Sequence, residues 1–295
     1  MQEEVLMNTA QEKIRALRWA IILSGFLSVL KTAGAFFCSS ASLLASALDS
    51  LMDIGISSVN YLSVLKASKP PDKDHPYGHE KIESLASYTE GLVILVFAVL
   101  ILVESIRRAF AGSAFQHPEA ALPIVAIAIL TSIVITAILQ RAERRTDSLI
   151  LKAEKTHYAM DLLSHFFVVI AVAAVKWTGW AGWDVAGGLA VASYVGFLAA
   201  KISLRSAHEL VDRSLPQSAL DGLDALIKQQ DGVLGYHEMR TRKSGAKNFI
   251  DFHLVLRPTQ SFEAAHETTE SLIEKIRARF VNSDVTIHED PEGGR

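Results

Sequence analysis

Two short stretches of the sequence each place two potential metal ligands four positions apart. In "LDSLMD" they are Asp49 and Asp53, and in "THYAMD" they are His157 and Asp161. Residues at i and i+4 share one helix face, so each pair can present both ligands to a neighbouring helix. Three carboxylates and one imidazole around one point suit a divalent cation in tetrahedral geometry, and one nitrogen among the ligands favours zinc. The alternative is that each pair only makes hydrogen bonds between helices.

Both pairs fall in apolar surroundings that predict membrane-spanning helices. Six apolar stretches approach the ~20 residues that a helix needs to cross a bilayer; they run over 19–38, 41–65, 84–106, 120–140, 157–176 and 184–202. A charge at mid-bilayer costs roughly 2.5–3.5 kcal/mol even on lenient insertion scales, so ionisable residues there indicate function. Glu90 and Glu104 in the third stretch are further candidates, for a cavity or a proton path.

Charge and composition set the orientation and exclude several classes of protein. Lys and Arg concentrate in the N-terminal segment and in the second and fourth connections, which predicts cytoplasmic N- and C-termini. The net charge of −3 argues against a nucleic-acid partner. The single cysteine, Cys38, excludes an intrachain disulfide and a thiolate metal cluster. The polar, acidic N-terminus does not resemble a cleaved signal peptide.

The sequence becomes charged and mixed after about residue 206, which predicts a second domain. We expect a six-helix transmembrane domain over 1–212 and a cytoplasmic domain over 213–295. Helical periodicity over 217–230 precedes two strands around a turn at 244–246, then a second helix and a final strand, "DVTIHED". The fold class is therefore an α-helical membrane bundle followed by an α+β, ferredoxin-like α-β-β-α-β domain.

A histidine-containing connection follows the second apolar stretch. In "PPDKDHPYGHEKIES", Asp72, His75 and His79 can form a three-ligand site with an open position, although a solvated polar loop is the alternative. The segment "HEKIE" lacks the second histidine of a zinc peptidase motif. No nucleophile motif and no phosphate-binding glycine loop is apparent, so the chain is predicted to be a secondary transporter rather than an enzyme or an ATP-driven pump.

The C-terminal domain has histidines of its own. His288 and Asp290 lie two apart in a predicted strand and share a face. Together with the remaining histidines they predict a metal cluster, for which Glu238 and Asp251 are further candidates; these histidines are His237, His253 and His266.

Five separated motifs, in order along the chain, resemble those of the cation diffusion facilitator family, most closely its bacterial ferrous-iron and zinc efflux type. They are D-x-x-x-D from Asp49, "DKDHPYGHEK", H-x-x-x-D from His157, "ELVDRSLP" and "TIHEDP". The resemblance implies a homodimer in the inner (plasma) membrane that exports a divalent metal in exchange for protons. Zn²⁺ is the first candidate, and Fe²⁺, Cd²⁺, Co²⁺, Ni²⁺ and Mn²⁺ remain open.

The resemblance also implies roles for particular residues. It implies a transport site at Asp49, Asp53, His157 and Asp161, and a second site at Asp72, His75 and His79. A regulatory binuclear site would use His237, His253, His266, His288 and Asp290, with Asp290 as the bridge. Lys81 and Asp212 occupy the positions of a salt bridge near the boundary between membrane and cytoplasm.

The predicted mechanism is alternating access, in which metal and protons compete for one site because metal ligands must be deprotonated. His157 is the expected proton carrier, since imidazole titrates nearest physiological pH. Two other classes remain as alternatives. A passive metal channel would need the same ligands but no proton coupling, and a metal sensor or scaffold would need only the C-terminal site.

Overall fold

The structure is a computed structural model that describes residues 2–38, 41–111, 122–178 and 182–292. The chain divides into two compact units, the first ending at Ala207 and the second beginning at His208. The domain boundary expected between residues 212 and 213 remains a prediction. Each unit is described by itself below.

Six long helices form the first unit within the described residues, as the apolar stretches predict. They are α1 (Gln2–Cys38), α2 (Ala41–Ala67), α3 (Lys81–Ala111), α4 (Leu122–Thr146), α5 (Leu149–Thr178) and α6 (Gly182–Leu210). Four of them, α1, α3, α4 and α6, contain described stretches that are long and apolar enough to cross a membrane. Most of the helices extend past the apolar stretch that predicts them, because polar residues such as those at the start of α3 continue the helical turn.

One face of α1 carries exposed apolar side chains along its length. Its exposed apolar side chains recur every three or four residues, which places them on a single face; they are Trp19, Ile22, Phe26 and Val29. Ala16, Leu17 and Ala20 lie buried against the other helices. Such a continuous exposed apolar face is typical of a surface that contacts lipid.

Helix α5 is central to the packing of the first unit. It contributes to a buried cluster with α1, α2 and α4, through Ile150, Leu151 and Tyr158. Through Met160 it also contributes to a second cluster with α3 and α6. A helix held on both sides is a rigid support for functional side chains, and His157 and Asp161 are both on it.

The second unit has the predicted α-β-β-α-β order. Its elements are α7 (Gln217–Lys228), β1 (Val233–Ser244), β2 (Lys247–Leu256), α8 (Phe262–Arg279) and β3 (Ser283–Pro291). The strand order is β1-β2-β3, with β1 antiparallel and β3 parallel to β2. Gly245, at φ +56°, forms the turn between β1 and β2, a conformation that glycine adopts without a steric cost.

The alternation of β2 separates the two faces of the sheet. Ile250, Phe252 and Leu254 are buried in a core that α7 and α8 complete with Leu223, Ile227, Leu272 and Ile276. Successive side chains in a strand point to opposite faces. His253 therefore lies on the face of the sheet that the two helices leave uncovered, where it can meet histidines from the neighbouring strands.

Candidate metal sites

The membrane unit brings together three of its four predicted ligands. His157 Nε2 on α5 lies 2.9 Å from Asp53 Oδ1 on α2, and 3.9 Å from Asp161 Oδ2 one turn further along α5. One ligand atom from each of these residues lies within 4.8 Å of the others. Asp49 lies one turn before Asp53 on α2, but its side chain is outside the described residues.

The surroundings of this triad fit a bound ion as well as a hydrogen bond between helices. His157 is buried, with 5% of its side chain exposed, whereas 16% of Asp53 and 26% of Asp161 is exposed, which leaves a path to the carboxylates. Two carboxylates converge on one imidazole nitrogen, an arrangement of hard and borderline ligands that divalent cations accept. His157 Nδ1 is buried with no hydrogen-bond partner among the described residues.

The connection between α2 and α3 brings its three predicted ligands together in the same way. His75 Nδ1 and His79 Nε2 each lie 3.2 Å from a carboxylate oxygen of Asp72, and the two rings are 4.6 Å apart. Asp72 and His75 are more than half exposed, whereas His79 is buried. One carboxylate and two imidazoles at this spacing can hold an ion that keeps open positions toward solvent.

Backbone hydrogen bonds shape this loop around Asp72. The backbone N–H groups of Asp74 and His75 both donate to Asp72 Oδ1, at 3.0 and 2.7 Å, which is a turn that aspartate favours. The bond from His75 lowers the pKa of the Asp72 carboxyl below its ordinary value. The carboxylate is therefore present as a ligand over the whole physiological pH range.

The C-terminal sheet aligns three histidines across its three strands. The register pairs His237 on β1 with His253 on β2, and His253 with His288 on β3. The ring centroids of these two pairs are 5.0 and 4.7 Å apart. A β-bulge after His237, where Glu238 adopts a positive φ of 52°, keeps His237 in register while the following residues shift.

Asp290 lies beside these three histidines, and we call the group of His237, His253, His288 and Asp290 the histidine rung. The carboxylate oxygens of Asp290 lie 2.9 Å from His253 Nδ1, 3.1 Å from His237 Nε2 and 3.4 Å from His288 Nε2. The hydrogen bond from His253, opposed by partial desolvation, lowers the pKa of Asp290. Three imidazoles close to one carboxylate form a ligand set that suits zinc or a similar transition metal.

Other predicted members of the C-terminal site lie differently. His266 is exposed on α8. The ligand atoms that lie within 4.8 Å of one another belong to His237, His253 and Asp290, a group that includes neither His266 nor His288. Glu238 Oε2 lies 3.9 Å from His253 Nε2, at the edge of the rung. The ligand role of His266 and a binuclear site both remain predictions.

The predicted salt bridge between Lys81 and Asp212 also remains a prediction. Lys81 starts α3 in the first unit, whereas Asp212 follows α6 in the second. Within its own unit, Asp212 accepts a hydrogen bond from Arg242 Nη1 at 3.3 Å.

Sequence reasoning missed a buried polar network beside the membrane triad. Asn60, Glu90 and Glu154 are all less than 5% exposed and are joined by hydrogen bonds. The sequence predicts Glu90 as a candidate for a cavity or a proton path, but it does not single out Glu154. Its spacing of three residues before His157 was the available signal, since residues three apart lie on neighbouring parts of one helix face.

Comparison with known proteins agrees with the fold. Residues 17–211 match the family described as the cation efflux transmembrane domain, and residues 215–292 match the cytoplasmic domain of cation efflux proteins. The chain therefore belongs to the cation efflux family. It is a multi-pass membrane transporter of divalent metal cations with a cytoplasmic C-terminal domain, and it is not an enzyme.

Curated relatives match over nearly the whole chain. The cation-efflux pump FieF of Escherichia fergusonii is 30% identical over 277 residues, which cover 94% of this chain and 92% of that protein. The FieF pump of Escherichia coli is 29% identical over the same shares of both chains. Among solved structures, the metal-bound C-terminal domain of the CzcD transporter from Thermotoga maritima is 29% identical, covering 26% of this chain and 91% of that one, with a TM-score of 0.25.

Proposed function

We propose that this chain is a secondary active transporter that exports divalent metal cations from the cytoplasm in exchange for protons. It would act as a homodimer in the inner (plasma) membrane, by alternating access. The observation that carries the proposal is the convergence of Asp53, His157 and Asp161 from two membrane helices, with their ligand atoms within 4.8 Å of one another. The names of the FieF relatives, cation-efflux pumps, support the direction of transport.

The ligand set supports zinc as the first substrate to test. Asp49 would supply a fourth ligand from α2, one turn before Asp53. Three carboxylates and one imidazole can complete a tetrahedral zinc site. Ferrous iron, cadmium, cobalt, nickel and manganese are the other candidates, because affinity order alone does not set selectivity in such sites.

Proton exchange follows from the charge of the same ligand set. An ionised carboxylate is costly to bury without a counter-charge. A bound divalent cation offsets that cost, and protons do so after the cation has left. Metal and protons therefore compete for the same side chains. His157 and one of the carboxylates are the proposed proton carriers within the site.

We further propose that the other two sites respond to cytoplasmic metal. The loop triad of Asp72, His75 and His79 would bind metal near the cytoplasmic face. The histidine rung, assisted by His266, would bind regulatory metal in the domain over 213–295 and favour the transporting dimer. Lys81 and Asp212 would form a salt bridge near the membrane surface.

The test is transport by the purified full-length protein in liposomes, with metal uptake and internal pH measured together across a panel of divalent metals. Wild-type protein should move zinc with a counterflow of protons. Asp53→Ala should abolish zinc flux because it removes a ligand that contacts His157. Asp231→Ala, which changes an exposed aspartate of the C-terminal unit, is the matched control and should transport normally.

Two results would contradict the proposal. Wild-type flux in Asp53→Ala would refute the site. Zinc flux without any proton movement, in wild-type vesicles with an imposed pH gradient, would indicate a passive channel instead.

A further inference from the structure

A pair of buried carboxylates lies beside the proposed transport site and shares one amide donor. Asn60 Nδ2 on α2 donates to Glu90 Oε2 on α3 at 2.9 Å and also to Glu154 Oε2 on α5. The exposed fractions of these residues are 2%, 4% and 0%. Both carboxylates thus accept a hydrogen bond from the same neutral amide, that of Asn60, inside the membrane unit.

The remaining hydrogen bonds leave one carboxylate oxygen unused. Ser57 Oγ donates to Glu154 Oε1, and Tyr158 links Ser57 to Ser24 at 3.0 and 2.7 Å. Glu90 Oε1 is buried and has no hydrogen-bond partner among the described residues. Burying a charged carboxylate oxygen without a hydrogen-bond donor costs free energy. A proton bound to the carboxyl group removes the charge and lowers that cost.

No lysine or arginine of the described ranges pairs with either carboxylate. On α1, the ammonium group of Lys13 pairs with Glu83 at 2.6 Å, seven residues before Glu90. On α4, Glu143 pairs with Lys155 at 3.0 Å.

The titratable groups that do face the two acids lie on α2 and α5. They are Asp53, His157 and Tyr158. Helix α6 approaches α3 next to Glu90, at Gly91, with the uncharged Ser203 and Ala199. Within the described ranges the two acids therefore face no lysine or arginine, and the imidazole of His157 is the neighbouring group that can carry a positive charge.

Two adjacent carboxylates in such a site cannot both remain ionised at low cost. Like charges close together disfavour double ionisation, and burial disfavours each charge separately. Carboxylate pairs of this kind hold one proton between them. The neutral amide of Asn60 can hydrogen-bond to the pair in either state but supplies no positive charge.

The position of the pair along the helices relates it to the metal ligands. Asn60 lies seven residues after Asp53 on α2, toward the loop before α3, and Glu154 lies three residues before His157 on α5. At about 1.5 Å per residue, the pair is displaced by about 5–10 Å from the triad. The displacement is toward the ends of α2 and α5 that the charge pattern predicts to be cytoplasmic.

We propose that Glu90 and Glu154, bridged by Asn60, hold one exchangeable proton as a site separate from the metal ligands, and release it when a divalent cation occupies the Asp53–His157–Asp161 triad. The carboxylic O–H bond breaks, the proton passes to water on the cytoplasmic side, and the carboxylate keeps the electron pair. The positive charge of the cation nearby favours this ionisation. The coupling to transport rests on the proposed antiport function.

Infrared difference spectroscopy of the full-length protein in lipid vesicles tests the proton directly. Adding zinc to the wild type should remove two C=O stretching bands of protonated carboxyl groups, one from the triad carboxylate that carries a proton and one from the Glu90–Glu154 pair. The triad's band should remain in Glu90→Gln and in Glu154→Gln, whereas the pair's band should be absent from both. Both bands should persist in Glu143→Gln, the matched control, whose carboxylate is already paired with Lys155.

The number of protons that move per zinc ion in the same vesicles is a second test of the pair. Glu90→Gln should still bind zinc but should move about one proton fewer per metal than the wild type.

Each other outcome overturns one specific claim. If the wild type loses only the triad's band, or if both bands survive in Glu90→Gln, the pair does not hold the proton. If Glu90→Gln binds one zinc ion fewer per chain, the pair is a metal site instead. If zinc moves with no proton counterflow while the pair's band behaves as expected, the antiport fails but the proton-holding pair stands.

Discussion

The membrane triad and the histidine rung use the same two ligand types in opposite proportions. The triad has two carboxylates, Asp53 and Asp161, around one imidazole inside a helical unit. The rung has one carboxylate, Asp290, among three imidazoles on a partly open sheet. The described residues of one chain thus provide an anion-rich site and an imidazole-rich site.

This difference indicates different tasks. An anion-rich site in a low-dielectric setting cannot stay empty without taking up protons, so its charge changes each time the cation leaves. An imidazole-rich site on an exposed sheet can stay empty in its neutral form with little electrostatic penalty. The first arrangement suits a transport cycle, and the second suits reversible sensing of metal.

The largest expected effect comes from neutralising one acid of the triad. Asp161→Asn keeps the shape of the side chain but removes an anionic ligand. Zinc flux in liposomes should therefore fall by more than about 100-fold, which exceeds the loss caused by changing a residue that only orients metal ligands. Equilibrium dialysis of the same protein should show the loss of one zinc ion per chain, with the remaining zinc binding unchanged. A flux near the wild-type rate would remove the distinction between the two sites.

A smaller effect is expected from the same change in the rung. Asp290→Asn removes one proposed ligand and leaves three imidazoles, so the zinc affinity of the C-terminal site should fall by at least about 10-fold, the smallest loss typical of a residue that only orients metal ligands. Isothermal calorimetry on the full-length protein that also carries Asp161→Asn and His75→Ala isolates this site, because those two changes remove a ligand from each of the other proposed sites. Transport in the single Asp290→Asn variant should lose its activation by cytoplasmic zinc but keep its basal rate. Complete loss of transport would mean that the rung belongs to the transport path.

The smallest effect concerns the exposed loop and its response to pH. Because a backbone N–H lowers the pKa of Asp72, the turn is fully stabilised above the ordinary aspartate value of about 3.9 and loosens as the pH falls through the lowered value. Hydrogen exchange over residues 72–79, corrected for intrinsic rates, should therefore show no loss of protection from pH 7 to about pH 5, since protonation of His75 or His79 strengthens their contacts with Asp72. Asp72→Asn, whose amide oxygen still accepts those bonds, should change protection by only about twofold. Loosening near pH 6 would contradict this account.

The sequence sufficed for the fold because its signals are local. Apolar stretches of about 20 residues predict spans, and the strand alternation at Ile250, Phe252 and Leu254 predicts one buried face. The helix ends are less predictable. Helix α1 begins at Gln2, well before its apolar stretch, because polar residues can continue a helix once its core-facing turns are fixed.

The candidate sites also divide into features that local sequence signals predict and features that depend on packing. The i, i+4 spacing of His157 and Asp161 places both residues on one face, so the sequence could predict that part of the triad. The meeting of Asn60 with Glu90 and Glu154 depends on how three helices pack, and residues 94 positions apart leave no periodic signal. The strand register that aligns His237 with His288 likewise depends on the parallel pairing and on the bulge at Glu238.

The histidine rung also bears on how the C-terminal domain folds. Its members lie on three strands, and all of α8 separates His253 from His288 along the chain. An ion that binds only the aligned histidines closes this long stretch of polypeptide and favours the folded state by mass action. The parallel pairing of β2 with β3 is a non-local contact of the kind that forms slowly during folding. Cytoplasmic metal would thus stabilise the folded C-terminal domain. The transporter would then resist proteolysis best when the cytoplasmic concentration of the metal is highest.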